Sequence, residues 1–493
     1  MDSFSSNIIY PISKHLDSEK NAFFIRNTFF SYKQLKQLIL DIRKSIRLNN
    51  DEIPYIGIVA NDDLETYASI IAVWLEGKTY IPLHESMPIE RCKDIIEQVG
   101  ISLILDSSES TRFKDYKTIF TSNLPKAEDM TLSPISVKDT SIGYILFTSG
   151  STGKPKGVPI TRANINAFVK AFWNLGYKVN ETDRFLQAFD LTFDLSVMSY
   201  LIPLLKGACI YTVPYDQIKF SYIAELLEDK KITFALMVPS TIRYLRPYFA
   251  EINLPDLKYS LFCGEALPLS LTEEWSKCIP NATIDNVYGP TENTIFCSSY
   301  RYNKNGNNKQ YNGSLSIGKS MSEVVMNIFN EEGESVAKGM SGELCLAGKQ
   351  LTPGYWKNPE KDNETFFLNN GILYYRSGDL CKQDEDGDFL YIGRIDSQIK
   401  IQGFRIELGE IEYHTSQYLS GRKTVAVAYT NQFGTNEIAI FIEGLEISSN
   451  DIERYLQTKI PSYMLPSQYH FINKMPLNLN GKIDKNKLKL MIS

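Results

Sequence analysis

Thr148-Ser149-Gly150-Ser151-Thr152-Gly153-Lys154-Pro155-Lys156-Gly157 follows directly on the apolar run 142–147, and its residue types suit the holding of an anion. Three glycines let the backbone turn its N–H groups inward, the hydroxyls add donors, and two lysines add positive charge. A nucleoside triphosphate is the natural ligand of such a loop. It is not the G-x-x-x-x-G-K-[ST] loop, which, counted from Gly150, needs a glycine where Pro155 stands and a hydroxyl residue after Lys156, where Gly157 stands. A polar hairpin has the same composition, so the loop alone leaves both readings open.

The elements that would position this loop can be read from periodicity. From about residue 54 to 290 short apolar runs alternate with amphipathic stretches, which predicts α/β layers with a largely parallel sheet. Tyr55 to Ala60 reads as a strand, and Leu64, Tyr67, Ala68, Ile71, Ala72 and Leu75 make one helix face that Gly77 closes. Pro88 opens a helix with the stripe Ile89, Cys92, Ile95, Ile96 and Val99 ahead of a strand from Ile101 to Leu105. Behind the loop, Ile165, Phe168, Val169 and Phe172 predict another helix, with Thr161 as its cap. Frequent Gly, Asn and Asp between about 310 and 395 predict a small β-rich subdomain. After Asp396 a compact βαββαβ-like pattern follows, with a helix over 407–419 and strands over 424–430 and 437–443. The expectation is a large N-terminal domain, 1–395, of layered α/β subdomains plus the β-rich one, and a small α+β domain, 396–493.

A chain of 493 residues exceeds what one core serves, and 43% hydrophobic with 22% charged residues predicts a chain folded throughout. The net charge of −6 argues against a nucleic-acid partner. Seven cysteines form no C-x-x-C pair and only four histidines are present, so neither zinc nor structural disulfides are expected. The start, 1–7, lacks a basic region ahead of an apolar core, and no apolar run reaches membrane-spanning length. A cytoplasmic protein without membrane insertion is expected.

The punctuated segments are, in order, FSYKQL (30–35), WLEGKTYIPL (74–83), FTSGSTGKPKG (147–157), FDLS (193–196), NVYGPTE (286–292), GELCLAG (342–348), YRSGDL (375–380), GRIDSQIKIQGFRIELGEIE (393–412) and NGKID (480–484). This series resembles the adenylate-forming superfamily, which includes acyl-CoA synthetases, luciferases and the adenylation domains of nonribosomal peptide synthesis. The resemblance covers nearly the whole chain. It implies a large adenylation domain hinged to a small mobile one, with ATP and Mg²⁺ as cofactors.

The resemblance also assigns roles residue by residue. Thr148, Ser149, Gly150, Ser151, Thr152, Gly153 and Lys156 would hold ATP phosphates. Tyr288, followed by Gly289, would stack on adenine, while Asn286 and the backbone at Gly264, Glu265 and Ala266 meet the base edges. Asp379 can accept both ribose hydroxyls, and Arg394 can reach the ribose or a phosphate. Thr291 and Glu292 look like the Mg²⁺ site, since that ion takes few protein oxygens and shares the rest with phosphate and water. Lys482 is the implied catalytic cation beside Glu292: an ammonium between the attacking carboxylate and the α-phosphate offsets the charge spread over the equatorial oxygens. Asp396 resembles the family's hinge, and the loop around Gly403 would help form a tunnel for a phosphopantetheine thiol.

Asp194 in FDLS marks specificity. In amino-acid-activating members this aspartate meets the substrate's α-ammonium, and a buried carboxylate awaiting a cation is a charge filter. The local spelling of 147–161, 193–198 and 261–268 resembles stand-alone D-alanine–carrier protein ligases, part of the same superfamily. By motif position Asp194, Leu195 and Met198, then Leu236, Leu261 and Cys263, then Val287, Ile295 and Phe296 would line the pocket. These are mostly aliphatic, which implies a small or apolar amino acid, D-alanine first, with glycine, L-alanine, serine, proline and valine open. Loading of another amino acid in nonribosomal or small-molecule biosynthesis, and an acyl- or aryl-CoA ligase, are the alternative readings. Eleven residues follow Lys482, too few for a carrier domain, so the carrier protein is expected in trans.

Overall fold

The computed structural model describes residues 2–49, 54–108, 110–128, 130–150, 153–396, 398–432, 434–478 and 483–492. The chain divides into two compact units, one comprising Met1–Glu85, Val99–Leu146 and Gly157–Ile395, the other Ser86–Gln98, Phe147–Lys156 and Asp396–Ser493.

In the first unit two parallel-rich sheets carry the α/β layers. The six-stranded sheet runs in the order Thr118–Phe120, Leu103–Asp106, Tyr55–Ala60, Thr79–His84, Ile142–Thr148, Lys156–Thr161, and its first five strands are parallel. In the nine-stranded sheet Thr283–Tyr288, Tyr259–Phe262, Phe234–Met237, Arg184–Gln187, Cys209–Thr212 and Asn21–Ile25 run parallel, with antiparallel strands added at both edges. The central strands are apolar on both faces, as Phe234–Met237 shows by being buried throughout, because parallel sheets are covered on both sides. One edge is supplied by the hairpin of Asn21–Ile25 and Thr28–Ser31, an addition that no local pattern announces.

Helices arise where the periodicity predicts them. Helix Leu64–Leu75 buries every residue except Glu65, and Asp63 caps it by accepting from Thr66 N–H at 2.9 Å. Helix Arg162–Asn174 opens with a capping box in which Thr161 and Asn164 bond each other reciprocally. The strand expected from residue 101 begins at Leu103. The Gly- and Asn-rich stretch forms a five-stranded antiparallel sheet of Val324–Phe329, Ser341–Gly348, Phe366–Asn369, Ile372–Gln383 and Phe389–Arg394.

In the second unit a three-stranded sheet, Thr424–Thr430, Asn436–Glu443 and Gln468–Ile472, alternates its faces with period two. Ala426, Ile438, Ile440 and Ile442 pack with Ile411, Ile452 and Leu456, while Val425, Val427, Ala439 and Phe441 pack with Met475 and Leu488. The βαββαβ expectation needs correction: a hairpin, Gln398–Ile401 and Phe404–Glu407, precedes helix Leu408–Tyr418, and helix Lys485–Lys489 follows the last strand. Gln402 and Gly403 both have positive φ (49° and 83°), the geometry that reverses a strand in two residues. Among the described residues, no helix is long and apolar enough to cross a membrane.

Candidate functional site

In the first unit Asp194 opens helix Asp194–Leu204 directly after Phe193, which is still extended (φ −112°, ψ 138°). Its side chain sits where the helix N-terminus favours an anion, and the residue is only 8% exposed. Leu195, Met198, Leu236, Leu261, Cys263, Val287, Ile295 and Phe296 are buried in one continuous core cluster. Leu236 and Leu261 are direct neighbours in the nine-stranded sheet. Of the residues the motifs selected for a pocket, strand pairing thus sets Leu236 beside Leu261, and Asp194, Leu195 and Met198 share the helix after Phe193.

Tyr200 of that helix belongs to an aromatic group the sequence reading did not select. The Tyr80 and Tyr200 hydroxyls are 2.9 Å apart, and the Tyr144 ring packs on Tyr80 with centroids at 5.6 Å. Burial, then Tyr80, then the charge of Asp194 push the Tyr144 hydroxyl well above the ordinary tyrosine range.

The residues expected to hold a nucleoside form a second group in the same unit. The Tyr288 hydroxyl donates to Asp379 Oδ2 at 2.5 Å, and Arg394 Nη1 donates to Asp379 Oδ1 at 2.9 Å and to the Ser377 carbonyl at 2.7 Å. Asp379 and Arg394 are cross-strand partners, so sheet register creates that ion pair. Each Asp379 oxygen retains lone pairs beyond these bonds, which leaves acceptor capacity for hydroxyls. Asn286 donates to the Ser316 carbonyl at 2.9 Å. Gly264, Glu265 and Ala266 follow strand Tyr259–Phe262, and Glu265 Oε2 accepts the Ser240 N–H at 2.9 Å.

Glu292 is completely buried on a short 3-10 turn, Thr291–Asn293, and its Oε1 accepts the Tyr355 hydroxyl at 2.7 Å. Thr294 and Ile295, both β-branched, follow with positive φ (53° and 74°), a strained path. The Gln350 amide holds that path by donating to the carbonyls of Asn293, Thr294 and Phe296 at 3.2, 3.3 and 3.0 Å. Gly289 lies against the same segment, because a Cβ there would meet Phe296 Cα at 2.3 Å. Thr291 and Glu292 follow one another on this turn and offer hard oxygen donors, the kind an ion takes when its other ligands come from phosphate and water. Tyr355 and Gln350 went unselected because both lie far along the chain from Glu292 and in no expected motif role.

The loop expected to hold phosphates falls in the second unit, which includes Phe147–Lys156. Ser149 Oγ donates to the Arg405 carbonyl at 2.9 Å and accepts the Glu407 N–H at 3.1 Å. Gly150 N–H donates to Glu410 Oε2 at 3.1 Å, and Lys156 Nζ lies 3.3 Å from Glu407 Oε1. Thr148 Oγ1 is buried with no hydrogen-bond partner among the described residues. Ser151, Thr152 and Lys482 lie outside the described residues. Asp396 is the first residue of its segment of the second unit and accepts the Gln398 N–H at 3.0 Å, and Gly403 forms the hairpin turn described above. All seven cysteines are buried thiols, none in a disulfide among the described residues.

Two parallel-rich sheets, an antiparallel five-stranded sheet and a small three-stranded unit are the frame of adenylate-forming enzymes. A family model for AMP-binding enzymes matches residues 14–356, and the chain belongs to that family. It is similar to the D-alanine–D-alanyl carrier protein ligase of Bacillus licheniformis, at 31% identity over 85% of this chain and 86% of that one. Gramicidin S synthase 1 of Brevibacillus brevis is 30% identical over 88% of this chain, which spans only 39% of that protein's length. Among solved structures, the Vibrio cholerae adenylation domain AlmE in complex with glycyl-adenosine-5'-phosphate superposes with a TM-score of 0.87 at 26% identity, covering 99% of this chain and 98% of that one. The resemblance read from the nine motifs is thus met at the level of family, fold and enzyme class.

Proposed function

We propose that this ligase activates a small amino acid, D-alanine first, as its aminoacyl adenylate and passes it to the phosphopantetheine thiol of a separate carrier protein. The observation that carries the reading is Asp194, a buried carboxylate at the start of helix Asp194–Leu204, whose next residues Leu195 and Met198 belong to the apolar core. An α-ammonium can form an ion pair with it, which an aryl or fatty acid cannot. The substrate carboxylate attacks the α-phosphorus, the bond to the bridging oxygen breaks and pyrophosphate leaves. In the second step the thiol sulfur attacks the acyl carbon, its proton is lost and AMP departs.

Each residue has a defined task in this scheme. Tyr288 packs on adenine, Asp379 accepts the ribose hydroxyls and Arg394 fixes the Asp379 carboxylate. Glu292 and Thr291 would hold Mg²⁺, which when bound neutralises polyphosphate charge. Lys482 supplies an ammonium to the α-phosphate, Asp396 serves as the hinge and Gly403 lines the thiol's approach. The similarity to a D-alanine–D-alanyl carrier protein ligase over most of both chains supports D-alanine and a carrier acceptor. Glycine is the second reading, favoured by the similarity to a domain solved with glycyl-adenosine-5'-phosphate.

ATP–pyrophosphate exchange against D- and L-amino acids, glycine, benzoate and acetate tests the proposal. Selective exchange with D-alanine supports it, selective exchange with glycine moves it to the second reading, and exchange only with benzoate or acetate removes the role given to Asp194.

A further inference from the structure

The backbone that delivers Asp194 leaves strand Arg184–Gln187 and turns through 188–193 before the helix starts. Asp190 builds that turn. Its Oδ1 accepts the Thr192 N–H at 2.8 Å and the Thr192 hydroxyl at 2.9 Å, and its carbonyl accepts the Phe193 N–H at 2.9 Å. Gln187 steadies the approach, accepting the Phe189 N–H at 3.2 Å and donating to the Phe189 carbonyl at 3.1 Å. The other carboxylate oxygen of Asp190, Oδ2, meets His84 Nε2 at 2.9 Å, and both side chains are mostly buried. His84 ends strand Thr79–His84 of the six-stranded sheet, whereas Arg184–Gln187 lies in the nine-stranded one. The pair therefore ties the two sheets together four residues ahead of Asp194.

An Asp turn is complete with its own backbone donors, so the bond to His84 does not shape the turn but fixes where it lies. We propose that His84 is a positioning residue for the amino acid, acting through Asp190 to set the start of helix Asp194–Leu204 and with it the carboxylate that meets the α-ammonium. The inference rests on the reading of Asp194 as the ammonium's partner. An imidazolium makes a charge-assisted bond to Asp190, about twice as strong as the neutral bond left when the ring loses its proton. Burial opposes charge on the ring, but Asp190, by charge and hydrogen bond, and Glu85 outweigh burial and Arg112, so the ring keeps its proton above pH 6.5. Arg112 donates to the His84 carbonyl at 3.1 Å, and the Tyr215 ring stands edge-on to the imidazole with centroids 6.3 Å apart. Asp190 in turn is within electrostatic reach of Lys219, which opens helix Lys219–Asp229 with its ammonium 5.5 Å from the Phe189 ring, and of the buried, neutral Tyr67 phenol of helix Leu64–Leu75. The grip on the amino acid is therefore firmest below the folded pKa of His84 and loosens as pH rises through it.

Amino-acid-dependent ATP–pyrophosphate exchange on the full-length chain between about pH 5.5 and 8.5 tests the proposal, with D-alanine or, should exchange select it, glycine as substrate. In the wild type the KM of the amino acid should rise roughly fivefold across that range, while the KM of ATP moves less than about twofold. His84→Gln keeps an uncharged donor of similar reach, so its amino-acid KM should sit at the wild-type high-pH value and lose the pH response. Asp190→Asn keeps an acceptor for Thr192 but removes the charge, and provides a second test of the same sign should the first variant fail to fold. The double variant should be no worse than either single one, because both act on one bond. A pair that only stabilises the fold would lower the denaturation midpoint in both variants and leave their KM profiles parallel to wild type, and that result overturns the proposal. Asp194→Asn separates the two readings. If it leaves the amino-acid KM unchanged, the role of Asp194 falls and this inference with it; if it raises that KM while the His84 and Asp190 variants keep the wild-type profile, this inference alone falls.

Discussion

At the residue scale, Asp194 and His84 make the sharpest predictions. Asp194→Asn keeps the size and helix-opening capacity of the side chain but removes its charge. Amino-acid-dependent pyrophosphate exchange should fall at least about a hundredfold, roughly the loss of one buried charge-assisted contact, while ATP affinity stays near wild type. His84, the last residue of strand Thr79–His84, has Nε2 2.9 Å from Asp190 Oδ2. Burial opposes charge on the ring, but Asp190 by charge and hydrogen bond, with Glu85, holds its pKa above the ordinary 6.5. Burial likewise opposes ionisation of Asp190, yet His84 and the Thr192 N–H and hydroxyl keep its carboxyl below 3.8. The histidine's contribution to stability is therefore full below pH 6.5 and lost as pH rises through the folded value, while that of Asp190 is full above pH 3.8 and lost on acidification. His84→Gln should cost about 1–2 kcal/mol at pH 6 and less at pH 9, measured by denaturant unfolding at both. A cost independent of pH would mean that the pair is held by hydrogen bonding without charge.

The motif residues at this scale could be selected because a short motif fixes residue type and local backbone together. Tyr288 and Asp379 were each selected for contacts with a nucleoside, but their bond to one another was not, since 91 residues separate them. Arg91 shows the limit more plainly. It lies on the same helix as the predicted stripe Cys92, Ile95, Ile96 and Val99, yet it is itself buried, because Glu410, 319 residues away, neutralises it. A charge in a helical pattern reads as solvent-facing until its distant partner is known.

At the scale of elements, the turn around Glu292 depends on a brace from another part of the chain. Gln350→Leu keeps the side-chain volume but removes the donor shared by three buried carbonyls. It should destabilise the protein by about 2–3 kcal/mol, read as a lower denaturation midpoint, and depress adenylation through the loosened Thr291–Asn293 turn. A variant with unchanged midpoint would show that the strained residues Thr294 and Ile295 keep their path without this amide. Helices and strands in the α/β layers follow the apolar spacing closely, since one buried face imposes its period on the local sequence. The second unit's opening hairpin escaped that logic. Its Gln402-Gly403 turn sits inside a motif otherwise rich in strand formers, and only the two positive φ angles divide it into two strands.

For the whole molecule, the division of labour between the two units carries the remaining prediction. Asp194, Tyr288, Glu292 and Asp379 belong to the first unit, and Phe147–Lys156 to the second. On the role proposed for Lys482, Lys482→Ala should abolish adenylation, by about three orders of magnitude, while ATP affinity and thermal midpoint stay close to wild type, because a transition-state cation contributes little to ground-state binding. Unchanged exchange activity would remove the lysine from the mechanism.

The motif order and apolar periodicity determined the superfamily, the α/β class and most helices and strands, because each depends on residues close in the chain. The tertiary structure alone decided that segments 86–98 and 147–156 pack with residues from 396 onward, that the hairpin Asn21–Ile25 with Thr28–Ser31 completes the nine-stranded sheet, and that two carboxylates occupy the loop's anion donors. Each of these is a contact between groups hundreds of residues apart or a choice among equally apolar edges. Local sequence carries no energy for such choices, which are made only when the packed chain must satisfy every buried charge and donor at once.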